Sequence, residues 1–383
     1  MPQFDGRSLK PSPGSFQSRP ERFGYIDSLR GIAALLVIYL HLADWFLRNE
    51  PNLGAFDHWS FVAFTDVIDI GKVGVIVFFA ISGYVIPFSL MKQTDHAVPR
   101  FVISRFFRLY PAYWLSLPAG LIILVVVAHQ HIDAPLVVAN ATMLQQFFGI
   151  ENVLGIYWTL QIELIFYALC IGLFVIGLLQ KTKFIFSASV IFLAFALVLS
   201  AVRFYSGMKL PVVVPLSLAI MFWGMIRRQA DDGERTAIRA DVALLVVFAV
   251  VIPLVSFLAY NRDYGYNETW YRYTISYGAA IALFAVCTSR VRIDFAGMRH
   301  LGRISYSIYL FGPVAEQIIL LSLLPRLGLG QGAHLYIGIT MVLAVAMAAV
   351  IYRFVEAPSI AFGRRISEKF CARGGVHELQ PHS

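Results

Sequence analysis

The run DSLRGIAALLVIYLHLADWFL, Asp27 to Leu47, decides the fold. Its apolar block has about the length that crosses a hydrocarbon core as a helix, roughly 20 residues. It also carries ionisable side chains, which are costly in such a helix and so mark candidate functional positions. Arg30 and His41 are 11 residues apart. On an α-helix that is about three turns, so they share a face with about 16 Å between them. Similar blocks recur at 71–91, 109–128, 156–179, 184–202, 211–226, 242–260, 273–289, 304–324 and 334–354. Together they predict an all-α integral membrane protein, a polytopic bundle of about ten transmembrane helices.

Composition agrees. Apolar residues make up 58% of 383 positions and charged residues only 14%, well below the roughly 25% of soluble domains. With an N-terminus in the cytoplasm, the tail, the even-numbered connections and the C-terminus hold 22 of the 31 Lys and Arg, against 6 in the opposite loops. The remaining three, Arg30, Lys72 and Arg353, lie in or beside spans. That asymmetry follows the positive-inside rule, and adding or losing one span would spoil it. The net charge of +8 is then topogenic and faces anionic lipid, which removes the case for a nucleic-acid partner.

Three separated cysteines, Cys170, Cys287 and Cys371, indicate neither a disulfide framework nor a metal site. The His129, His131 and Asp133 cluster is a weak metal signal, and no metal is expected. The sequence divides into a disordered cytoplasmic tail (1–24), a membrane domain (25–362) and a short basic cytoplasmic tail (363–383). The outer connection 129–155 is itself fairly apolar and is expected to dock over the bundle as a lid or re-entrant element. No GxSxG elbow, P-loop or GxGxxG stands in a strand-to-helix setting, so hydrolase, nucleotidase and Rossmann readings lack support.

Few charges remain as site candidates. Arg30 is either a phosphate ligand or an interfacial arginine snorkelling beside Asp27. His41, deeper, is a base candidate or a structural hydrogen-bonding histidine. Glu163 lies about 10 Å inside the outer end of its predicted span, the same depth as His41. A carboxylate there can set the tautomer and raise the basicity of the imidazole; the alternative is structural glue. Arg105 and Arg108, placed in the connection before the third span, are one turn apart. They can grip a phosphate together or serve as membrane anchors. Trp158 and Tyr157, with Asp27, are the acceptor-binding candidates, the two rings because they can stack on a sugar. The buried His, Glu and Arg equally suit a secondary transporter or flippase, although repeated halves are not visible.

These residues fall into ordered motifs. They are Ile26-Asp27-Ser28-Leu29-Arg30-Gly31 with His41, Phe78-Phe79 through Ser82-Gly83, and Arg105 and Arg108 before Tyr110-Pro111. Trp158-Thr159-Leu160 with Glu163 follows, then Gly302 with Ile304 to Leu310, and Val355-Glu356-Ala357-Pro358. From Tyr25 to Arg364 the chain resembles acyltransferase family 3, integral membrane enzymes that O-acylate polysaccharides, lipid-linked sugars and some small molecules. The resemblance implies an acyl-CoA co-substrate, usually acetyl-CoA, entering from the cytoplasm, and a carbohydrate or glycolipid acceptor. It implies a bacterial inner-membrane location and functional roles for Arg30, His41, Arg105 and Arg108. Ser28 stands where a glycine is common. Gly312 stands where many members have a histidine, which leaves His41 as the main base candidate.

Overall fold

A computed structural model describes residues 23–92, 96–127, 129–263, 268–327 and 332–374. The tail expected at 1–24 lies outside them except for its last two residues, as does the C-terminal stretch from 375. Helix α1 (Gly24–Asn49) is followed by α2 (Ala55–Phe61) and α3 (Ile70–Met91). The α3 start is capped by Asp69, whose carboxylate accepts the Lys72 amide at 2.7 Å, satisfying a donor that the helix leaves orphaned. Then come α4 (Ala97–Val126), α5 (Ala134–Thr142), α6 (Trp158–Val175), α7 (Thr182–Ser206), α8 (Val213–Asp231), α9 (Arg235–Ala259) and α10 (Trp270–Ser289). The chain closes with α11 (Ala296–Arg303), α12 (Ser305–Ile318), α13 (Leu324–Leu327), α14 (Ala333–Ile351) and α15 (Ala357–Gly374). Among the described residues there is no strand.

The packing is that of a bundle whose outer solvent is apolar. On α9, Val242, Val246, Val250, Leu254 and Phe257 form an exposed stripe at helical spacing. Leu244, Phe248, Ile252 and Val255 point inward. A helix apolar on both faces belongs to a membrane or to the middle of a bundle. Helix α8 takes the second position: every residue from Leu216 to Ile226 is buried.

Glycines let the central helices touch backbone to backbone. A Cβ at Gly83 of α3 would lie 1.8 Å from the Met221 carbonyl oxygen of α8, and one at Gly224 would lie 2.2 Å from that of Ala80. Small residues at such crossings are the means by which membrane helices pack without a hydrophobic drive. At the end of the bundle where α1 begins, here termed the inner end, Gly302 of α11 abuts the Asp27 carbonyl in the same way.

Each of the ten predicted stretches falls on a helix, and eight helices among the described residues are long and apolar enough to cross a membrane. The other two positions are α8, whose last turns hold Arg227, Arg228 and Asp231, and α10, which begins with Trp270, Tyr271 and Arg272. Two boundaries differ from expectation. Helix α4 starts at Ala97, so Arg105 and Arg108 lie within a 30-residue helix and not in a connection. Helix α15 continues to Gly374, so the start of the expected tail is helical, and it packs on α4 through Phe362 and Phe107 at 5.4 Å.

The expected docking of 129–155 over the bundle matters most for the site, because it sets the depth at which α6 begins. Segment 129–155 folds back along α4. The Tyr113 hydroxyl donates to the Asn140 carbonyl at 2.6 Å and the Trp114 indole to that of Ala141 at 2.9 Å. Those α4 positions lie roughly 20 Å from its outer end at 1.5 Å per residue. Helix α6 therefore begins deep, with the Tyr157 hydroxyl 2.8 Å from Ser116 Oγ.

Candidate active site

Because α6 begins deep, Glu163 arrives at the level of the arginines and not at the level of His41. Arg30 of α1, Arg105 and Arg108 of α4 and Glu163 of α6 line one central cavity with Ser82, Tyr306 and Tyr309. The Arg105 guanidinium lies 5.2 Å from the Phe101 ring centre and 5.7 Å from that of Tyr167. Its Nη2 donates to Ser89 Oγ at 2.8 Å, while its buried Nε has no hydrogen-bond partner. Glu163 accepts a short hydrogen bond from the Tyr167 hydroxyl. Arg108, Asp27, Glu163 and Arg105 all act on Arg30 electrostatically, Arg108 and Asp27 the most. Glu356, which accepts from Ser307 Oγ at 2.7 Å, faces Arg108 electrostatically.

Three arginines and one carboxylate line the waist, with Asp27 and Glu356 acting from beyond it; a guanidinium-rich lining inside a bundle is an arrangement that an anionic ligand would complete. Arginine offers paired donors that match phosphate oxygens. A cation set of this kind suits a polyphosphate better than a proton relay.

The central cavity is the narrow waist of a series. An inner mouth of about 320 Å³ is lined by Phe23, Asp27, Phe88, Lys92 and Arg228 and shares Arg30 and Arg108 with the waist. The waist measures about 90 Å³ and the outer cavity about 450 Å³. Val75, Phe79 and Tyr309 line both of these, so they form the partition. The Tyr309 hydroxyl is fixed there, 2.8 Å from Thr159 Oγ1 and 3.0 Å from the Ile156 carbonyl.

His41 lines the outer cavity. The expected His41 and Glu163 contact is therefore not formed: the two residues face different cavities, because the back-folded segment lowers α6. An acidic side chain of α12, Glu316, lies within electrostatic reach of His41. Of the acceptor candidates, Trp158 lines the outer cavity. Tyr157 is fully buried, packed on Tyr113 at 4.7 Å, and Asp27 lies at the inner mouth. Neither of these two reaches the outer cavity.

The sequence reading missed most of the polar lining of the outer cavity. Asp69 bridges Arg272 at 2.9 Å and Lys72 at 3.5 Å, and Glu268 bridges Arg203 at 2.6 Å. Tyr260 and Tyr273 stack with centres 3.6 Å apart, and Lys72 Nζ lies 3.5 Å over the Tyr273 ring. Lys72 was the one available signal, an ionisable residue beside a span. Its partners come from helices and loops far along the chain.

A family model described as an acyltransferase domain matches residues 23–353. A protein of Komagataeibacter xylinus described as a candidate membrane-bound transacylase, BcsY, is 26% identical over 309 residues, 75% of this chain and 71% of that protein. Protein 2 of the picA locus of Rhizobium radiobacter is 35% identical over 104 residues, 26% of this chain. That alignment spans 45% of the relative's own length. No solved structure matches. With the family domain covering most of the bundle and all four of Arg30, His41, Arg105 and Arg108 inside it, the chain belongs to acyltransferase family 3.

Proposed function

We propose that this protein transfers an acyl group, acetyl in the simplest case, from acyl-CoA to a hydroxyl of a carbohydrate or glycolipid acceptor at the bacterial inner membrane. The inner end of the bundle, with both termini, faces the cytoplasm. The observation that carries the reading is the convergence of Arg30, Arg105 and Arg108 on a waist that opens inward to a cationic mouth and adjoins a cavity holding His41.

In this reading the three arginines hold donor phosphates, Glu163 balances part of their charge, and the flexible arm of the donor runs along α1 past Val75, Phe79 and Tyr309. The thioester then stands near His41, about 16 Å from Arg30. His41 takes the proton of the acceptor hydroxyl as its oxygen attacks the thioester carbonyl carbon. The carbon–sulfur bond breaks, and the imidazolium returns that proton to the departing CoA thiolate. A covalent variant has His41 carry the acyl group between donor and acceptor. The outer cavity suits a sugar, because its rings present flat apolar faces beside carboxylates that accept hydroxyl hydrogen bonds. Trp158 contributes one such face.

The test is transfer of label from radiolabelled acetyl-CoA by the purified protein in lipid nanodiscs, with and without extracted surface glycans. The expected result is label in the glycan matched by an equal amount of free CoA. Glycan or solute crossing the membrane with no thioester cleaved would overturn the reading in favour of the transporter or flippase alternative.

A further inference from the structure

The inner mouth contains residues to which the proposed reaction gives no task. Its lining holds four cations, Arg30, Lys92, Arg108 and Arg228, and one carboxylate, Asp27; Asp232 meets Arg228 and Glu356 faces Arg108 from outside the lining, so the positive charges still outnumber the negative. Arg30 and Arg108 are shared with the waist, whereas Arg228 and Lys92 belong to the mouth alone. A membrane-anchoring arginine would run outward along the lipid face. Arg228 instead lies over aromatic rings, 4.1 Å from the centre of Phe23, 5.3 Å from Tyr84 and 5.4 Å from Phe88.

Those rings are themselves fixed. Tyr84 shares a hydrogen bond of 2.9 Å with the Tyr25 hydroxyl and donates to Asp231 at 2.8 Å. Phe23 meets Tyr25 and Tyr84 edge-on at 5.7 and 6.2 Å. Arg228 Nε donates to Asp232 at 2.9 Å, which sets the plane of the guanidinium and leaves its other nitrogen donors for a ligand. The mouth therefore combines excess positive charge, an oriented guanidinium and aromatic walls. That combination recognises a phosphorylated nucleoside, phosphate by charge-assisted hydrogen bonds and base by stacking.

We infer that the inner mouth binds the nucleotide head of the donor thioester, with Arg228 and Lys92 holding its ribose 3′-phosphate and Phe23 and Phe88 flanking the adenine. The inference rests on the acyl-CoA reading above and adds a division of labour to it. Arg30 and Arg108, between mouth and waist, take the pyrophosphate next to the flexible arm, and Arg228 and Lys92 take the phosphate at the far end. The mouth residues thus act on donor affinity and leave the reacting atoms to other groups.

The experiment compares acetyl-CoA with acetyl-dephospho-CoA, which lacks only the 3′-phosphate, in transfer assays and in nanodisc binding of the corresponding free thiols. Wild type is expected to favour the 3′-phosphorylated form about tenfold or more in KM and Kd, the size of one good charge-assisted contact. Arg228→Gln and Lys92→Gln each shrink that ratio severalfold. Arg299→Gln, a nearby inner-end arginine outside this mouth, keeps it. An unchanged ratio in both mouth variants, or no preference in wild type, overturns the inference. Because binding is read separately, a wild type that binds CoA with 3′-phosphate preference yet transfers nothing would sink the reaction and keep the mouth. Failure to bind CoA at all would sink both.

Discussion

The two ends of the passage hold their cations in opposite ways. In the outer cavity each lining cation sits on a carboxylate, Lys72 with Asp69 and Arg203 with Glu268, and Arg272 packs behind on Asp69. In the inner mouth and waist, five lining cations meet two lining carboxylates, Asp27 and Glu163, with Asp232 at Arg228 and Glu356 facing Arg108 from outside the lining. Paired charges beside stacked tyrosines make a polar but nearly neutral surface. A lining richer in arginine than in carboxylate makes one that an anion completes. In the proposed reaction the polyanionic donor takes the inner end and a neutral polyhydroxyl acceptor the outer, and His41 lines the cavity on the acceptor side of the partition.

The largest effect should come from His41→Ala, which removes the group to which the proposed reaction assigns the proton transfer. Turnover is expected to fall on the order of 10³-fold with CoA binding retained. Joint loss of binding and turnover would show that His41 belongs to the donor end and break the comparison. Next in size, Arg105→Ala should lower kcat/KM about 100-fold, mainly through KM for the donor. Arg105→Lys should recover only part of that loss, since a point charge cannot reproduce the guanidinium's paired donors. Equal recovery by lysine would mean that charge alone matters at the waist.

At the outer end the effects are on stability and acceptor affinity. Asp69→Asn leaves Arg272 and Lys72 without their shared carboxylate, and breaking a buried pair costs about 3 kcal/mol or more. A lowered unfolding temperature in detergent, with donor binding intact in the protein that remains folded, is the expected outcome. Smallest of all, Trp158→Leu removes one stacking face of the outer cavity and should raise KM for the acceptor about fivefold, the size of one aromatic contact. A rise in donor KM in its place would put the donor in the outer cavity.

How much of this was legible in the sequence depended on how far apart the partners lie along the chain. Block length and apolarity located the helices, because a spanning helix satisfies its own backbone within one segment. Arg30, Arg105, Arg108 and Glu163 were each conspicuous as ionisable residues in or beside apolar blocks, and they do share a cavity. The depth of Glu163 was not legible. It was counted from an assumed outer start of its helix, and the fold-back of 129–155 against Tyr113 and Trp114 shifts that start inward. Nor was the outer network legible. Asp69 and Arg272, or Arg203 and Glu268, meet only after the intervening helices have packed, and in sequence they are ordinary residues near span ends. The mouth was hidden for a third reason: Arg228 reads as one more positive-inside charge until its position over Phe23 is seen.

The central claim is that donor and acceptor occupy opposite ends of one passage. It is tested most directly in sealed proteoliposomes of known orientation, with radiolabelled acetyl-CoA confined to the side of the inner mouth and glycan confined to the other. The account predicts labelled glycan on the outer side with free CoA remaining on the donor side. Transfer seen only when both substrates share one compartment would contradict it.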